Sequence, residues 1–399
     1  MRKLLLALLL LLPLSLAAQH RHIPYLGFAR LDRNRIQYPS GESPDFDRFL
    51  RKMDTLVTFG QGDIRILHIG GSHVQGGTWT QQLRRNLMSL RYGLDGGRGL
   101  VFPYNAAGTN TPMGYTTRAA GEWTMTRNLK PEPSIPLGLT GLSVSTSDSS
   151  AVFYVDLTER EAREASPRFS FRTVDIFGHG SAYPVIYLDR DTLQGTFDGW
   201  KYHFDLPHYA ENLFVGFRGF PGEFTLTGIY LDRPAHGLTL SECGVNGSST
   251  RSWLDCRDLV RDLAFVRPDL VILSIGINDI QGTDFNPDRF IRNYEKLLSY
   301  IHAVNPHCAI LFTTNNDSYR NHVPNIHSEN CQLAFARLAV LHKAALWDLF
   351  DMMGGSGSAA DWENAGLMKP DRIHFTATGY DLLGNLLFNA LMDAMKKTR

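Results

Sequence analysis

Residues 64–77 read IRILHIGGSHVQGG, and the interpretation of the whole chain starts from this stretch. An apolar, β-prone run from Ile64 to Ile69 stops at two glycines, is followed by Ser72 and gives way to a helical pattern. A serine at such a strand-to-helix turn lies near unpaired backbone N–H groups and the positive end of a helix. The stretch therefore predicts a nucleophile for carbonyl chemistry, provided that the chain also supplies a base, an orienting group and an oxyanion hole.

The composition places the chain among ordinary globular proteins. Its 399 residues, 43% of them hydrophobic, suffice for one enlarged α/β domain or for two or three domains. The formal net charge is zero, and charges of both signs are mixed along the chain. Because nucleic-acid binders concentrate basic residues, we expect no nucleic-acid partner.

The first residues have the pattern of a targeting signal. Arg2 and Lys3 precede an apolar run from Leu4 to Leu16, and Ala17-Ala18 offers a cleavage site before Gln19. The run is short for a membrane span, and no other stretch is long and apolar enough to cross a bilayer. Residues 1–18 are thus predicted to be a signal peptide. We expect a periplasmic or secreted protein without stable membrane insertion after its removal.

The four cysteines leave two alternatives open. Cys243 and Cys256 flank one loop, and Cys308 and Cys331 flank another, so two local disulfides are conceivable in an exported protein. The same residues also suit small buried positions. The sequence has no CxxC pair or His/Cys cluster with zinc spacing, so no metal site is predicted.

Helices and strands alternate in both outer parts of the chain. A helix is expected after Pro44, with Ser43 as its cap and an apolar stripe up to Leu56. The predicted strands are 64–69, 238–243, 269–275, 309–314 and 344–349, with helices at about 78–90, within 249–266, and at 288–304, 328–342 and 377–395. Five strands alternating with helices predict a parallel sheet covered on both faces. Residues 19–104 and 236–399 form this discontinuous α/β domain in the prediction.

Residues 105–235 have a different sequence pattern. Short alternating runs separated by turn residues occur at 151–157, 168–176, 184–188, 201–206, 212–217 and 223–231. This spacing predicts an antiparallel β-sandwich inserted between the first and second βα units. Most of its aromatic residues are expected in the core, although one or two exposed rings could stack on sugars.

Polar residues follow the ends of the predicted parallel strands. They are Gly71-Ser72, residues 243–248 (CGVNGS), Gly276-Ile277-Asn278-Asp279, residues 314–318 (TNNDS) and Asp371-Arg372-Ile373-His374. Because the carboxyl ends of parallel strands meet at one edge, ligands bind there in open α/β sheets. The loops are therefore expected to supply a serine, a glycine, an asparagine and an Asp-x-x-His pair to one rim.

Four of these segments, namely the Ser72 turn, the glycine-containing loop 243–248, the Gly-x-Asn-Asp segment at 276–279 and the Asp-x-x-His pair at 371–374, together resemble the motifs of the SGNH (GDSL-type) hydrolase family. The resemblance covers residues 60–90 and 238–395. The resemblance implies a flavodoxin-like, doubly wound, five-stranded parallel sheet. The segments IGGSHVQ and GVNG, together with the inserted β module, are similar to the branch that contains peptidoglycan and polysaccharide O-acetylesterases. One departure is Gly71, where the family usually has an aspartate that forms local hydrogen bonds and carries no proton in the reaction.

The resemblance implies a role for each matching residue. Ser72 would be the nucleophile, His374 the general base and then acid, and Asp371 the residue that orients the imidazole. The backbone N–H groups of Ser72 and Gly247 and the side-chain amide of Asn278 would form the oxyanion hole. No metal or organic cofactor is implied, because the triad activates its own nucleophile.

Several residues keep a simpler interpretation beside the functional one. Taken alone, Ser72 could cap a helix, Asn278 could be a turn residue, and His374 could cap the last helix together with Thr376. Gly244 competes with Gly247 for the oxyanion position. Asp279 is expected to brace its loop.

Other polar residues near the rim could contact substrate. His73, Asn315 and Asp317 are candidates for substrate binding, although His73, like His68, also suits packing, and residues 315–317 also suit an ordinary polar loop. Arg372 could bind an anionic group or form a surface salt bridge.

The expected function is that of an exported serine esterase that removes O-acetyl groups from a glycan such as peptidoglycan or a plant or bacterial polysaccharide. Two alternatives remain open at this point. The same triad could transfer the acetyl group to a sugar hydroxyl instead of water, or the protein could be a glycan-binding protein with weak catalysis. The oligomeric state cannot be read from the sequence.

Overall fold

The structure is a computed structural model that describes residues 20–132, 134–158 and 169–398. The predicted signal peptide, residues 1–18, lies outside the described residues. The helices are α1 (Pro44–Phe59), α2 (Ser72–Gln75), α3 (Thr78–Met88), α4 (Thr250–Leu254), α5 (Leu259–Val266), α6 (Ile277–Ile280), α7 (Pro287–Val304), α8 (Ser328–Leu341), α9 (Leu349–Met353), α10 (Ala359–Asn364) and α11 (Ala377–Lys397), with a 3₁₀ turn at Leu31–Arg33.

The strands fall into two regions of the chain. They are β1 (Ile36–Gln37), β2 (Asp63–Gly70), β3 (Gly99–Val101), β4 (Thr116–Ala120), β5 (Thr124–Arg127), β6 (Leu142–Thr146), β7 (Val152–Asp156), β8 (Phe171–Gly180), β9 (Tyr183–Leu188), β10 (Asp191–Gln194), β11 (Thr196–Phe197), β12 (Lys201–Ala210), β13 (Asn212–Arg218), β14 (Phe224–Asp232), β15 (Gly237–Gly244), β16 (Leu270–Ser274), β17 (Ala309–Thr313), β18 (Tyr319–Arg320), β19 (Val323–Pro324) and β20 (Ala345–Trp347). The predicted α/β class is confirmed.

The sheet of the α/β region has the order β1-β20-β17-β16-β2-β15 within the described chain. The last five strands are mutually parallel, with β2 between β16 and β15. The sheet differs from the predicted five-stranded parallel one because β1 pairs antiparallel at its edge, with Ile36 opposite Trp347. A strand of two residues is too short to show a periodic pattern, so the sequence carries no signal for β1.

Both faces of this sheet are buried. Along β2, Ile64 and Ile66 belong to one apolar cluster, whereas Leu67 and Ile69 belong to the other. Successive side chains of a strand point to opposite faces, so a strand that is apolar on nearly every residue must be covered on both. The helices α1 and α11 contribute to the first cluster, and α5, α7 and α8 to the second.

Helix α1 begins and ends at the predicted signals, with one difference. Pro44 is its first residue, and Gly60 closes it with a left-handed φ of 69°. Ser43 makes no capping hydrogen bond; its hydroxyl instead donates to the backbone oxygen of Lys343, 2.7 Å away. The serine thus ties α1 to the loop before β20, a long-range contact that a local capping rule does not anticipate.

Two antiparallel sheets occupy the chain between Gly99 and Asp232. One has the order β10-β9-β13-β7-β4, and the other contains β11-β12-β8-β14-β6-β5 with β3 paired to β14. They share one apolar cluster, in which the rings of Phe217 and Phe224, one from each sheet, lie 5.2 Å apart. Strands β3, β4 and β5 lie within residues 93–141, a segment rich in glycine, threonine and proline in which hydrophobic periodicity predicted no strands. Strand β6 follows this segment directly and was not among the predicted strands either.

The cysteine alternatives are resolved by the structure. All four cysteines, Cys243, Cys256, Cys308 and Cys331, are free and buried, so neither conceivable disulfide is formed. They behave as small apolar residues, and burial raises the pKa of each thiol. Among the helices of the described residues, none combines the length and apolar character needed to cross a membrane.

Candidate active site

Ser72 lies at the turn between β2 and α2, at the carboxyl edge of the parallel sheet. The backbone oxygen of Gly71 accepts hydrogen bonds from the N–H groups of Val74 (3.1 Å) and Gln75 (2.9 Å), which close the turn. A Cβ on Gly70 would lie 2.3 Å from a methyl group of Val74, so only glycine lets the end of β2 approach α2 this closely. The serine is therefore held on a compact, hydrogen-bonded turn.

The three predicted catalytic residues lie within hydrogen-bond distance of one another. The hydroxyl of Ser72 lies 2.8 Å from Nε2 of His374, and Nδ1 of His374 lies 2.8 Å from a carboxylate oxygen of Asp371. A carboxylate can only accept, so Nδ1 carries the proton and Nε2 is free to accept one from Ser72. The arrangement can perform nucleophilic catalysis assisted by a general base.

The carboxylate of Asp371 is fixed by its own chain. Its second oxygen accepts hydrogen bonds from the backbone N–H groups of Ile373 and His374, both at 2.9 Å. Partial burial acts to raise the pKa of Asp371, but the hydrogen bonds from the backbone and ring of His374 outweigh it and lower the pKa below the usual value. Asp371 therefore stays ionised at neutral pH and can stabilise a protonated His374.

Three hydrogen-bond donors predicted for the oxyanion hole lie on neighbouring loops. The backbone N–H groups of Ser72 and Gly247 have no hydrogen-bond partner among the described residues. The side-chain amide of Asn278 donates one hydrogen to the backbone oxygen of Ser248 at 2.9 Å and keeps the other. Gly247 has a φ of 85°, a left-handed conformation that favours glycine, and it is exposed to solvent. Unpaired donors at an open position suit an oxygen that gains negative charge.

The structure offers a physical account of Gly71. A Cβ at this position would lie 3.2 Å from the amide nitrogen of Asn278, which is tighter than nearly all real Cβ contacts. The absence of a side chain therefore lets the Asn278 amide approach the Ser72 turn. The turn itself is closed by backbone hydrogen bonds and does not depend on a side chain at residue 71.

His73 lies behind His374, away from the solvent. Its side chain is buried, its Nδ1 lies 2.8 Å from the hydroxyl of Tyr380, and its ring stacks on that of His374 with centroids 5.1 Å apart. Burial, followed by the nearby His374, lowers the pKa of His73 to about 3, so the ring is neutral. These contacts argue for packing against the base and against the predicted contact with substrate.

The two other candidates for substrate binding follow β17. Asp317 is fully buried, and its carboxylate accepts a hydrogen bond from the backbone N–H of Ala359 at 2.9 Å, so it braces the glycine-rich loop before α10 and does not face the substrate. Asn315 is half-buried, and its amide contacts the sulfur of Cys331. Neither side chain contacts Ser72, His374 or Asp371 in the structure.

The sequence placed Asn316 on the rim as a possible substrate contact or as part of an ordinary polar loop, whereas in the structure it supports the turn of Asp371 and His374. Its buried amide donates to the backbone oxygen of Ile373 at 3.0 Å and thereby holds the turn that carries Asp371 and His374. Its position after β17 was the only signal available. Thr376 alone caps α11, by accepting a hydrogen bond from the N–H of Gly379, so His374 is free of the capping role.

The remaining polar residues of the rim have structural partners. Asp279 accepts hydrogen bonds from the backbone and hydroxyl of Thr250 and braces the start of α4, as predicted. Arg372 pairs with Glu363 and lies over the ring of Tyr319. His68 is buried between the hydroxyls of Thr80 and Ser274. Within the described residues, no group of three or more His, Cys, Asp or Glu side chains could hold a metal ion.

Comparisons with known proteins identify a family match and a shared fold. Residues 221–382 match the model of the GDSL-like lipase/acylhydrolase family, a range that includes Gly247, Asn278, Asp371 and His374 and begins after Ser72. A solved structure described as a peptidoglycan O-acetylesterase in action is 22% identical and covers 91% of this chain and 99% of its own, with a TM-score of 0.69. At that identity the match establishes a shared fold over nearly the whole chain, including the antiparallel sheets.

Other solved structures overlap a smaller part of the chain. A lipase/acylhydrolase from Enterococcus faecalis is 20% identical, covers 40% of this chain and 77% of its own, and has a TM-score of 0.33. An acetyl xylan esterase is 20% identical, covers 38% of this chain and 81% of its own, and has a TM-score of 0.32. Overlaps this limited support no conclusion.

No curated protein matches the chain significantly. The resemblance to this family is confirmed for residues 221–382, which form a domain of the GDSL-like lipase/acylhydrolase family, and the protein is an esterase.

Proposed function

We propose that this protein is an exported serine esterase that removes O-acetyl groups from a glycan, with Ser72, His374 and Asp371 as its catalytic triad. The observation that carries the proposal is the pair of 2.8 Å contacts that link Ser72 to His374 and His374 to Asp371. Such a chain of nucleophile, base and orienting carboxylate is recognised by its geometry and not by its place in the sequence.

Acylation begins with attack by the Ser72 hydroxyl on the ester carbonyl carbon. A bond forms between Oγ and that carbon while the hydroxyl proton passes to Nε2 of His374. The carbonyl oxygen becomes an oxyanion, which accepts hydrogen bonds from the N–H groups of Ser72 and Gly247 and from the Asn278 amide. Asp371 stabilises the imidazolium that forms and remains ionised.

The tetrahedral intermediate collapses by breaking the bond to the sugar oxygen, which takes the proton from His374. The acetyl group is then bound to Ser72. A water molecule attacks this acyl-enzyme while His374 accepts a proton from it, and the second collapse releases acetate and restores the Ser72 hydroxyl. All protons pass through the one imidazole.

O-acetylated peptidoglycan is the first substrate to test. The fold matches that of a peptidoglycan O-acetylesterase along 91% of the chain, so the likeness extends through the antiparallel sheets as well as the α/β region. Aromatic side chains on these sheets remain exposed, among them Phe197, Tyr209 and Phe214. Exposed rings can stack on sugars, and we propose that this module contacts the glycan. The signal-like residues 1–18 support export to the compartment where such glycans occur.

Acetate release from a panel of O-acetylated glycans, with Ser72→Ala beside the wild type, tests the proposal. We expect release from O-acetylated peptidoglycan and from a small chromogenic acetate, and a loss in the variant of about 10⁴-fold or more. Full activity of Ser72→Ala would show that the nucleophile is misassigned. Acetylated sugar formed in place of free acetate would instead identify a transferase.

A further inference from the structure

The side chain of Gln75 joins the Ser72 turn to the loop that carries Gly247. Gln75 is buried, and its amide oxygen accepts a hydrogen bond from the backbone N–H of Asn246 at 2.6 Å. Asn246 immediately precedes Gly247, so one side chain from α2 holds the residue next to a proposed oxyanion donor. The proposed mechanism gives Gln75 no role.

The amide nitrogen of Gln75 points to a third segment. It lies 3.1 Å from the side-chain oxygen and 3.2 Å from the backbone oxygen of Asn110, and 3.0 Å from the hydroxyl of Thr109. The side chain of Asn246 donates to the same Asn110 side-chain oxygen at 2.9 Å. Gln75, Asn110 and Asn246 therefore form a closed ring of hydrogen bonds in which Asn246 is held at two points.

The segment that carries Asn110 leads into the antiparallel sheets and packs closely on the Ser72 turn. The backbone N–H of Met113 donates to the oxygen of Gly76 at 3.3 Å. A Cβ on Gly77 would lie 2.4 Å from the nitrogen of Met113, so the two backbones touch. Residues 109–113 thus cover the turn from one side.

A second residue from the same part of the chain contacts Gly247 itself. Leu129 follows β5, and its methyl group would lie 2.8 Å from a Cβ placed on Gly247. With Asn246 held at its backbone and side chain and Leu129 against Gly247, the peptide that carries the Gly247 N–H has little freedom. Preorganised donors stabilise a transition state most, because they need no rearrangement as charge develops.

We propose that Gln75 and Asn110 are positioning residues that orient the Gly247 N–H, so that the inserted segment completes the oxyanion hole. This inference rests on the proposed function of Gly247. It means that the inserted part of the chain acts on the chemical step and does not serve only to contact the glycan. Its effect should therefore be visible on a small ester that cannot reach the antiparallel sheets.

The test measures kcat and KM for 4-nitrophenyl acetate on the full-length protein. Gln75→Met keeps the size of the side chain and removes its hydrogen bonds, and its kcat should fall about 10- to 100-fold. A misdirected donor still stabilises the oxyanion in part, so this loss is expected to be smaller than the loss caused by deleting a donor. KM should change less than twofold, because the interaction is made only in the transition state.

Variants of Asn110 separate orientation from folding, because this side chain is exposed. Asn110→Ala should lower kcat in the same way. Asn110→Asp should retain kcat, since Asn110 only accepts hydrogen bonds in the ring and a carboxylate can accept both. The double variant Gln75→Met/Asn110→Ala should lose little more than Gln75→Met alone, because both changes break the same ring.

Gln82→Met is the matched control. Gln82 lies on α3, and its amide donates to the side chains of Asn86 and Asn385, so the variant loses comparable hydrogen bonds away from the oxyanion loop. We expect its kcat to be unchanged. The inference fails if Gln75→Met retains kcat within twofold, if only KM rises, or if Gln82→Met loses as much activity. If hydrolysis by the wild type does not depend on Ser72, the proposed function itself fails, which is a separate outcome.

Discussion

The two sides of Ser72 are built in different ways. On the base side, Asp371 and His374 are three residues apart, and the carboxylate is held by backbone N–H groups of the same turn. On the side of the proposed oxyanion hole, the donors and their supports come from segments that are far apart along the chain, such as Asn110 and Asn246, which are separated by 136 residues.

Some parts of such a catalytic site can therefore be specified locally in the sequence, and others cannot. Base and orienting carboxylate can be specified by one short motif, because a single turn fixes their distance. An oxyanion hole needs donors that converge from several directions on one atom, so it has to be assembled by tertiary contacts. Substitutions on the base side should therefore act mainly through chemistry, and those on the oxyanion side through geometry.

The largest effect is expected on the base side, from Asp371→Asn. The asparagine keeps the shape of the side chain but cannot hold the proton on Nδ1 of His374, so kcat should fall about 10⁴-fold. Steady-state kinetics with a small acetate ester measures the loss, and an unchanged thermal midpoint serves as the folding control. A loss below tenfold would mean that His374 is oriented by something other than Asp371.

An intermediate effect is expected on the oxyanion side, from Asn278→Ala. Loss of one preorganised donor should lower kcat by about 10²–10³-fold, with a small change in KM. Gly247→Ala should also be impaired, since a Cβ there meets Leu129 and strains a left-handed φ. The same kinetic assay checks both variants. If Asn278→Ala raises KM and leaves kcat unchanged, the residue binds substrate and does not stabilise the oxyanion.

The smallest effect is expected on the pH dependence of stability, and it involves Asp317. This residue follows Asn316, which supports the turn of Asp371 and His374. Burial raises the pKa of Asp317 to about 6 and outweighs the hydrogen bond from the backbone of Ala359. The folded protein therefore holds this proton more tightly than the unfolded chain does. The associated stability is present at low pH and is lost as the pH rises through about 6.

Asp317→Asn should consequently be more stable than the wild type at pH 8, by on the order of 2 kcal/mol in the free energy of unfolding, with a smaller difference near pH 4. Denaturant unfolding at both pH values measures this, and Asp361→Asn on the exposed start of α10 is a control with no expected change. If the two proteins show the same pH dependence, folding does not shift the pKa of Asp317. If the wild type instead gains stability relative to the variant as the pH rises, the buried carboxyl is stabilised in its charged form.

Much of the fold could be predicted because its signals are local. The strand from Ile64, the helix after Pro44 and the final helix from Ala377 follow hydrophobic periodicity and end signals within a few residues. The edge strand β1 could not be predicted, because two residues carry no period. Strands β3, β4 and β5 were missed because residues 93–141 are rich in glycine, threonine and proline. Pairing with other strands, such as β3 with β14 and β4 with β7, selects the extended backbone there.

The candidate site likewise combines residues that short motifs predict with contacts that only the packing of distant segments decides. Ser72, Gly247 and Asn278 follow strand ends, and Asp371 and His374 precede the last helix, so the motifs were recognisable together. His73 is buried behind His374, and Asp317 is buried beneath a loop. Both burials depend on the segments that pack around these residues, so no short motif predicts them. The substrate contacts predicted for these two residues were inferred from their position along the chain alone.

Local residue patterns alone place a serine just after the first parallel strand and an Asp-x-x-His pair before the last helix, because strand periodicity and turn geometry act over a few residues. The packing of distant segments places Asn110 and Leu129 against the loop of Gly247, and it brings residues 109–113 against Gly76 and Gly77 at the end of the stretch that begins at Ile64. Contacts across such distances in the chain arise from the packing of whole sheets, which local residue patterns do not encode.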